Sequence, residues 1–421
     1  MSNKSEKRGL VPKLRFPEFQ AGGWEEKPLG KLAKRCTQKN GQVKLSRVLT
    51  NSAEFGVVDQ RDFFDKDIAN QSNLEGYFVV EKGDYVYNPR ISTTAPVGPI
   101  SKNNVATGVM SPLYTVFRFI NRHNDFYAYY FKTTGWHQYL RQVSSTGARH
   151  DRMAITNDDF MAMPLPVALP DEQQKIADCL ASIDELIILE AQKLNTLKTH
   201  KKGLMRQLFP AEGETLPKLR FPEFSDAGEW EEKALSQLGE LVSGLTYSPD
   251  DVRDEGLLVL RSSNVQNGMI VLDDNVYVRA DIRGANPSKQ NDILICVRNG
   301  SKSLIGKNAV IPEGMPLCTH GAFMTVFRSA LAKFIAQLFQ TEAYEKQVSA
   351  DLGATINSIN GNQLKKYKFF VPEPAEQQRI ADCLASLDNL ITAQTQKLAT
   401  LKAHKKGLMQ QLFPVLDEAA A

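Results

Sequence analysis

The chain has no apolar run of the roughly 18 residues that a membrane-crossing helix needs. Its N-terminal stretch, MSNKSEKRGLVPKL, is polar and basic and contains no apolar core, so no secretory signal is expected there and the expected location is the cytoplasm. Cysteine is scarce, five in all (Cys36, Cys179, Cys296, Cys318 and Cys383), and no two form a CxxC pair. That spacing suits neither a zinc site nor a disulfide framework, and reduced cytosolic thiols are expected instead. The six histidines form no HExxH or similar spacing, so no metal site is expected. A strong excess of charge is also missing: the formal net charge is +3, which by itself slightly opposes a nucleic-acid binder. What is present is ample apolar content, 42% over 421 residues, enough for two or three domains with ordinary cores.

The chain is written twice. EQQKIADCLASIDELI begins at Glu172 and EQQRIADCLASLDNLI at Glu376, and residues 172–210 align with 376–414 without a gap at a constant offset of 204. A shorter element repeats ahead of each: PKLRFPEF at 12–19 and 217–224, followed by WEEK at 24–27 and 230–233. Between them lie variable regions with weak mutual echoes. TVFR stands at 115–118 and 325–328, FKT at 131–133 corresponds to FQT at 339–341, QVS recurs at 142–144 and 347–349, and TGAR at 146–149 corresponds to LGAT at 352–355. One fold used twice with a rewritten surface is the reading. Joining the chain ends would recreate the LFP-to-PKLRFPEF junction, which predicts closed pseudo-two-fold symmetry.

The repeated segment carries a seam. In the first copy Ile176, Leu180, Ile183, Ile187, Leu194, Leu197, Leu204 and Leu208 alternate in steps of four and three once Glu190 and Lys201 are included. The second copy gives Ile380, Leu384, Leu387, Ile391, Leu398, Leu401, Leu408 and Leu412, with Gln394 and Lys405 in the gaps. About five heptads of this pattern predict a coiled coil, with the polar seam residues fixing register at some cost in stability. Acidic residues in the first turn and HKKG near the end suit the helix dipole. At about 1.5 Å per residue, roughly 37 residues span about 55 Å. Pairing of the two copies under a pseudo-two-fold makes them antiparallel, and a duplicated helix alternating with divergent domains suits a ruler better than a simple dimeriser. That length is on the order of one and a half turns of B-DNA, whose turn is about 34 Å.

This pattern resembles the specificity subunits of Type I restriction-modification enzymes, over nearly the whole chain. The residues that carry the likeness are the P…EQQ(K/R)IADCLAS(I/L)D helices and the KLRFPEF…W segments before each variable region. The resemblance implies an α+β fold with two similar α/β target recognition domains (residues 1–168 and 211–372) separated by two long antiparallel coiled-coil helices (169–210 and 373–421). It implies a non-catalytic bacterial or archaeal subunit in which each domain reads half of a split, asymmetric double-stranded DNA site. It further implies two methyltransferase subunits docked on the helices, with restriction and motor subunits completing the complex. No cofactor is implied on this chain; S-adenosylmethionine, ATP and Mg belong to the partners, which also supply much of the DNA clamp.

Catalytic alternatives find little support in the residues. YNPR at 87–90 has Arg90 where an adenine-methyltransferase motif requires a second proline, and no Gly-rich cofactor loop precedes it. GSKSLIGKN at 300–308 is one residue too long for a P-loop, and Asn308 replaces its Ser or Thr. WEEK holds a Glu-x-Lys as some nucleases do, without a PD partner, and its repetition favours a packing role. Base and phosphate contacts call instead for cationic and amide or hydroxyl side chains on loops. The candidates are Arg90, Ser92, Thr93, Thr94, Arg149, His150 and Arg152 in the first domain. In the second they are Arg261, Ser263, Asn264, Arg298, Asn299, Ser301, Lys302, His320, Thr355 and Asn357. A free-standing modifying enzyme and a protein-binding scaffold without DNA function are the rival readings.

Overall fold

The computed structural model describes residues 10–63, 71–145, 151–352 and 357–414. Two compact units result, residues 1–190 with 397–421 and residues 191–396. The division falls inside each of two 39-residue helices, Pro170–Leu208 and Pro374–Leu412, so each unit holds the start of one helix and the end of the other. A proline opens each helix, where its missing N–H costs nothing, and a Phe-Pro pair follows each helix end.

Both units are built on one frame. In the first, an antiparallel four-stranded sheet has the order Ala33–Arg35, Thr115–Phe119, Tyr85–Tyr87, Ile100–Lys102. In the second, Glu240–Ser243, Met324–Arg328, Ile293–Cys296 and Asn308–Val310 follow the same order. A buried aspartate and an arginine lock the same two strands each time: Arg118 Nε to Asp84 at 2.6 Å, and Arg328 Nη2 to Asp292 at 2.7 Å. The strand that begins in WEEK, Glu25–Pro28 or Glu231–Ala234, pairs antiparallel with the strand leading into the long helix, Pro164–Val167 or Lys368–Val371. The glutamates of WEEK lie at the surface while Trp24 and Trp230 are buried, so the motif does pack. The frames diverge beyond this sheet. The second unit adds a four-stranded sheet in which Leu257–Leu260 runs parallel to Cys318–His320, whereas the described residues of the first show the hairpin Leu49–Ser52/Gly56–Asp59 and the pair Phe78–Val80/Gly108–Met110.

The repeated PKLRFPEF is a clasp on the helix start. Arg15 grips buried Glu172 through two bonds of 2.6 and 2.8 Å, and Arg220 grips Glu376 at 2.8 and 2.7 Å. Fork-to-fork pairing of this kind is the strong form of an ion pair. The neighbouring Phe16 and Phe221 lie under the cations of Lys175 and Arg379 at 5.1 and 4.3 Å.

All the seam positions named from the sequence are buried or half-buried. The seam does more than join helices. Ile176 and Leu180 enter the core of the first unit together with Leu412 and Phe413 from the end of the second helix. Ile380 and Leu384 enter the core of the second unit together with Leu208 and Phe209. Phe413 packs on Phe126 and Tyr130, with centroids 5.0 and 5.8 Å away, as Phe209 packs on Phe334 at 5.6 Å. Between these ends the helices are cross-linked antiparallel within each unit: Lys405 to Asp184 and Lys397 to Glu190 in the first, Lys201 to Asp388 at 2.7 Å in the second. Lys201 and Lys405 are equivalent seam lysines, and Asp388 and Asp184 equivalent partners. Each carboxylate is also held from the globular side, by Gln337 Nε2 at 2.8 Å and by the Tyr129 hydroxyl at 3.0 Å. The coiled-coil expectation is thus refined: the terminal turns of the heptads belong to globular cores, and the pairs that Lys201 and Lys405 make with Asp388 and Asp184 also tie the helices to the domains.

Leu180 and Leu384 are fully buried. Truncating either to Ala is expected to cost about 2–5 kcal/mol, from lost transfer energy and the cavity left behind. Scanning calorimetry of the purified chain checks this; a cost below about 1 kcal/mol would contradict the placement of these residues at the junction of helix and domain core.

Candidate nucleic-acid interface

In each unit the loop after the central strand places an arginine at the same point. Arg90 follows Tyr85–Tyr87 and Arg298 follows Ile293–Cys296. Both are exposed, and both backbones make an isolated antiparallel bridge to the segment before the last strand, Arg90 with Arg152 and Arg298 with Ser358. The candidate loops therefore meet.

In the first unit the 88–95 loop is pinned by Ile91 N–H to the Asp151 carbonyl at 3.0 Å and Met153 N–H to the Pro89 carbonyl at 2.9 Å. Arg90 and Arg152 flank one carboxylate, Asp151, at 3.9 and 3.8 Å. A pair as long and exposed as that of Arg90 contributes little, so its guanidinium is available to an anion at small cost, while Arg152 is half-buried. Ser92, Thr93 and Thr94 are exposed, with the Ser92 and Thr94 hydroxyls 3.2 Å apart. Beside Thr94 opens a cleft of about 800 Å³ whose polar wall includes Lys102, Lys132, His137 and Arg141. Arg149 and His150 lie outside the described residues.

In the second unit Asn299 ties three segments together. Its Nδ2 donates to Ser262 Oγ at 2.9 Å, its Oδ1 accepts from Ser301 N–H at 2.9 Å, and Asn357 Nδ2 reaches the Gly300 carbonyl at 3.1 Å. Ser301 and Lys302 are exposed on the same loop. The Arg298 guanidinium lies over the Phe323 ring at 5.7 Å. Arg261 pairs with Asp274 at 2.8 Å. Thr355 lies outside the described residues.

Three candidates do not join this surface. Asn264 is fully buried; its Oδ1 accepts from Arg261 N–H at 2.9 Å and its Nδ2 donates to the Val271 carbonyl at 2.9 Å, which makes it a turn brace. Ser263 Oγ is buried and has no hydrogen-bond partner among the described residues. His320 is fully buried between two carriers of its ring, with Nε2 3.0 Å from the Val242 carbonyl and Nδ1 3.2 Å from Ser288 Oγ. Nε2 therefore donates and Nδ1 accepts. Burial, aided by Arg328, holds its pKa below the usual histidine value against the opposing pull of the Val242 carbonyl and Asp292. His320 lies in the strand Cys318–His320, and the 3-10 turn Ser262–Asn264 folds the polar groups of Ser263 and Asn264 inward.

A family model described as the Type I restriction modification DNA specificity domain matches this chain twice, over residues 22–199 and 227–403. The chain belongs to the Type I restriction-modification specificity subunits. Among curated relatives, the MjaVIII specificity subunit of Methanocaldococcus jannaschii is 26% identical over 283 residues, 65% of this chain and 65% of that protein. The EcoKI specificity subunit of Escherichia coli K12 is 30% identical over 168 residues, 38% of this chain and 36% of that protein. The chain thus matches just under two thirds of the first and little over a third of the second. Of solved structures, the S subunit from M. genitalium covers 96% of this chain and 99% of its own at a TM-score of 0.59 and 14% identity. A chain from a structure concerned with the assembly and conformational transition of the type I R-M system covers 97% and 99% at 0.56 and 16%. At such identities the likeness is one of fold.

In this specificity subunit the two matched segments hold the two target recognition domains, and each contains one of the arginine-centred loop clusters. The sequence reading missed Phe323 and Ser262 as members of the second cluster. The signal for Phe323 was available: aligning TVFR at 115–118 with 325–328 sets it opposite Leu113. Among the described residues no group of His, Cys, Asp and Glu has the arrangement to hold a metal ion, and no helix is long and apolar enough to cross a membrane.

The His320 geometry has a pH consequence. Its folded pKa is depressed, so its contribution to stability is complete above the unfolded value near 6.5 and is lost as pH falls through the folded value. His137, lowered by burial and Arg141, acts in the same direction. The thermal midpoint of the chain is expected to fall between pH 7.5 and 5.5, each histidine contributing a slope of up to about 1.4 kcal/mol per pH unit. His320→Gln is expected to flatten that slope in calorimetry; an unchanged slope would contradict a neutral buried ring.

Proposed function

We propose that this subunit is the non-catalytic DNA-reading member of a Type I restriction-modification complex, each target recognition domain reading one half of a split, asymmetric site. The paired long helices set the gap between the halves and dock two methyltransferase subunits. S-adenosylmethionine then belongs to the methyltransferase, and ATP and Mg to restriction and motor subunits that join the complex.

The observation that carries this reading is the equivalence of Arg90 and Arg298 on one frame with unlike surroundings. Arg90 shares Asp151 with Arg152, while Arg298 stands over Phe323 beside Asn299 and Asn357. A constant frame presents two arginines in the same way to two DNA segments, and the rewritten neighbours make the two readings differ. An exposed guanidinium is suited to bidentate bonding with guanine O6 and N7. The net charge of +3 supports few phosphate contacts, which accords with partners supplying the rest of the clamp.

Single-molecule sequencing of DNA from cells co-expressing the chain with its methyltransferase tests this. N6-methyladenine at one motif with two short specified halves and a fixed gap is expected. No new motif, with both proteins soluble and associated, would instead favour a protein-binding scaffold. Arg298→Ala is expected to relax one base pair in one half of the motif, a loss of about 1–3 kcal/mol of discrimination. Its thermal stability should stay within about 0.5 kcal/mol of the parent because the side chain is exposed.

A further inference from the structure

The turn before the long central strand has the same construction in both domains. Residues 111–114 close with Tyr114 N–H to the Ser111 carbonyl at 3.0 Å, and residues 321–324 with Met324 N–H to the Gly321 carbonyl at 2.8 Å. The third residue of each turn is large, apolar and turned to solvent: Leu113 is 59% exposed and Phe323 57% exposed. A single exposed apolar side chain needs no explanation. Two at the same corner of a duplicated frame, in regions whose sequences have otherwise diverged, call for a common cause.

The corner adjoins the reading loop. Tyr87 pairs with Thr115 and Ile295 with Thr325, so continuing the register by two residues sets Leu113 opposite Pro89 and Phe323 opposite Val297. In the second domain the Phe323 carbonyl accepts from both Val297 N–H at 3.0 Å and Arg298 N–H at 3.1 Å, and the Arg298 guanidinium lies over the ring. Arginine and aromatic ring thus form one unit, the cation's stem and face supported by the ring and its fork left open. No carboxylate pairs with Arg298 among the described residues.

We propose that Leu113 and Phe323 are specificity-determining residues, each packing against the 5-methyl group of a thymine in the major groove next to the base pair read by the adjoining arginine. The proposal rests on the DNA-reading function above. A major-groove edge offers two things this corner matches: acceptors on guanine for a guanidinium fork, and the thymine methyl as the apolar feature of the code. The arginine at the corner places anionic DNA, rather than an apolar protein surface, in front of the exposed side chain. Leucine in one domain and phenylalanine in the other then serve one chemical purpose at two sites, with reach and shape differing between half-sites.

The test uses the full chain bound to its methyltransferase and duplexes carrying the sequenced motif, with each thymine replaced in turn by deoxyuridine, which lacks only the methyl. Fluorescence anisotropy should show one thymine in each half whose replacement weakens binding about fourfold, the worth of one buried methyl group. Phe323→Ala should bind more weakly and lose its response to the replacement in one half while keeping it in the other; Leu113→Ala should do the reverse. Phe323→Leu should keep the response. Both side chains are exposed, so the variants should fold with unchanged thermal midpoints. Several results would overturn the inference while leaving a split motif, and so the parent reading, intact. They are no methyl-sensitive thymine, a half-site with no A·T pair, a response retained in Phe323→Ala, or an equal loss on thymine and uracil duplexes as a minor-groove wedge would give. Absence of any motif with the unaltered chain would defeat the parent reading instead.

Discussion

Each domain core is closed by a helix end that belongs to the other repeat. Leu412 and Phe413 complete the aromatic cluster around Phe126 and Tyr130, and Leu208 and Phe209 complete the one around Phe334 and Trp230. Neither repeat holds all the apolar surface that its own core requires. One helix therefore begins in one core and ends in the next, and the rest of the architecture follows. The sequence of that helix is constrained at both ends and along its seam. Ile176, Leu180 and Leu208 match Ile380, Leu384 and Leu412 for this physical reason.

The ion pairs reinforce the same division. The Arg15–Glu172 and Arg220–Glu376 clasps fix where a helix leaves its domain, and both partners of each are largely buried. The Lys405–Asp184 and Lys201–Asp388 pairs fix register, since a slip by one residue strands a lysine among apolar seam positions. By contrast Arg90 and Arg152 are weakly paired around Asp151, and Arg298 lies over the Phe323 ring with no carboxylate partner among the described residues. The clasp arginines Arg15 and Arg220 are buried and satisfied, whereas Arg90 and Arg298 are exposed.

Much of this was legible in the residues. The offset between the two EQQ helices exposed the duplication, the four-three steps exposed the seam, and Glu190 and Lys201 were recognised as polar seam positions. The exchange of helix ends was not legible, because a heptad pattern reads the same whether Leu412 faces a helix or a globular core. The loop candidates were mixed for a related reason. Arg90 and Arg298 stay outside, whereas Asn299 is spent bracing Ser262 and Ser301, Asn264 is drawn into its own turn by Val271, and His320 is drawn in by tertiary pairing with Val242. Side-chain type alone does not separate a bracing amide or imidazole from a reading one. Leu113 and Phe323 were passed over because the search was for polar groups.

The central claim is that two equivalent domains read DNA independently on one duplicated helix frame. It is tested most directly by replacing residues 24–168 with residues 230–372, so that both positions carry the second domain, and sequencing the methylation motif made with the methyltransferase. Two inverted copies of a single half-site, with the first domain's half-site gone, are the expected result. Retention of the first domain's half-site, or two copies in the same orientation, would contradict the account.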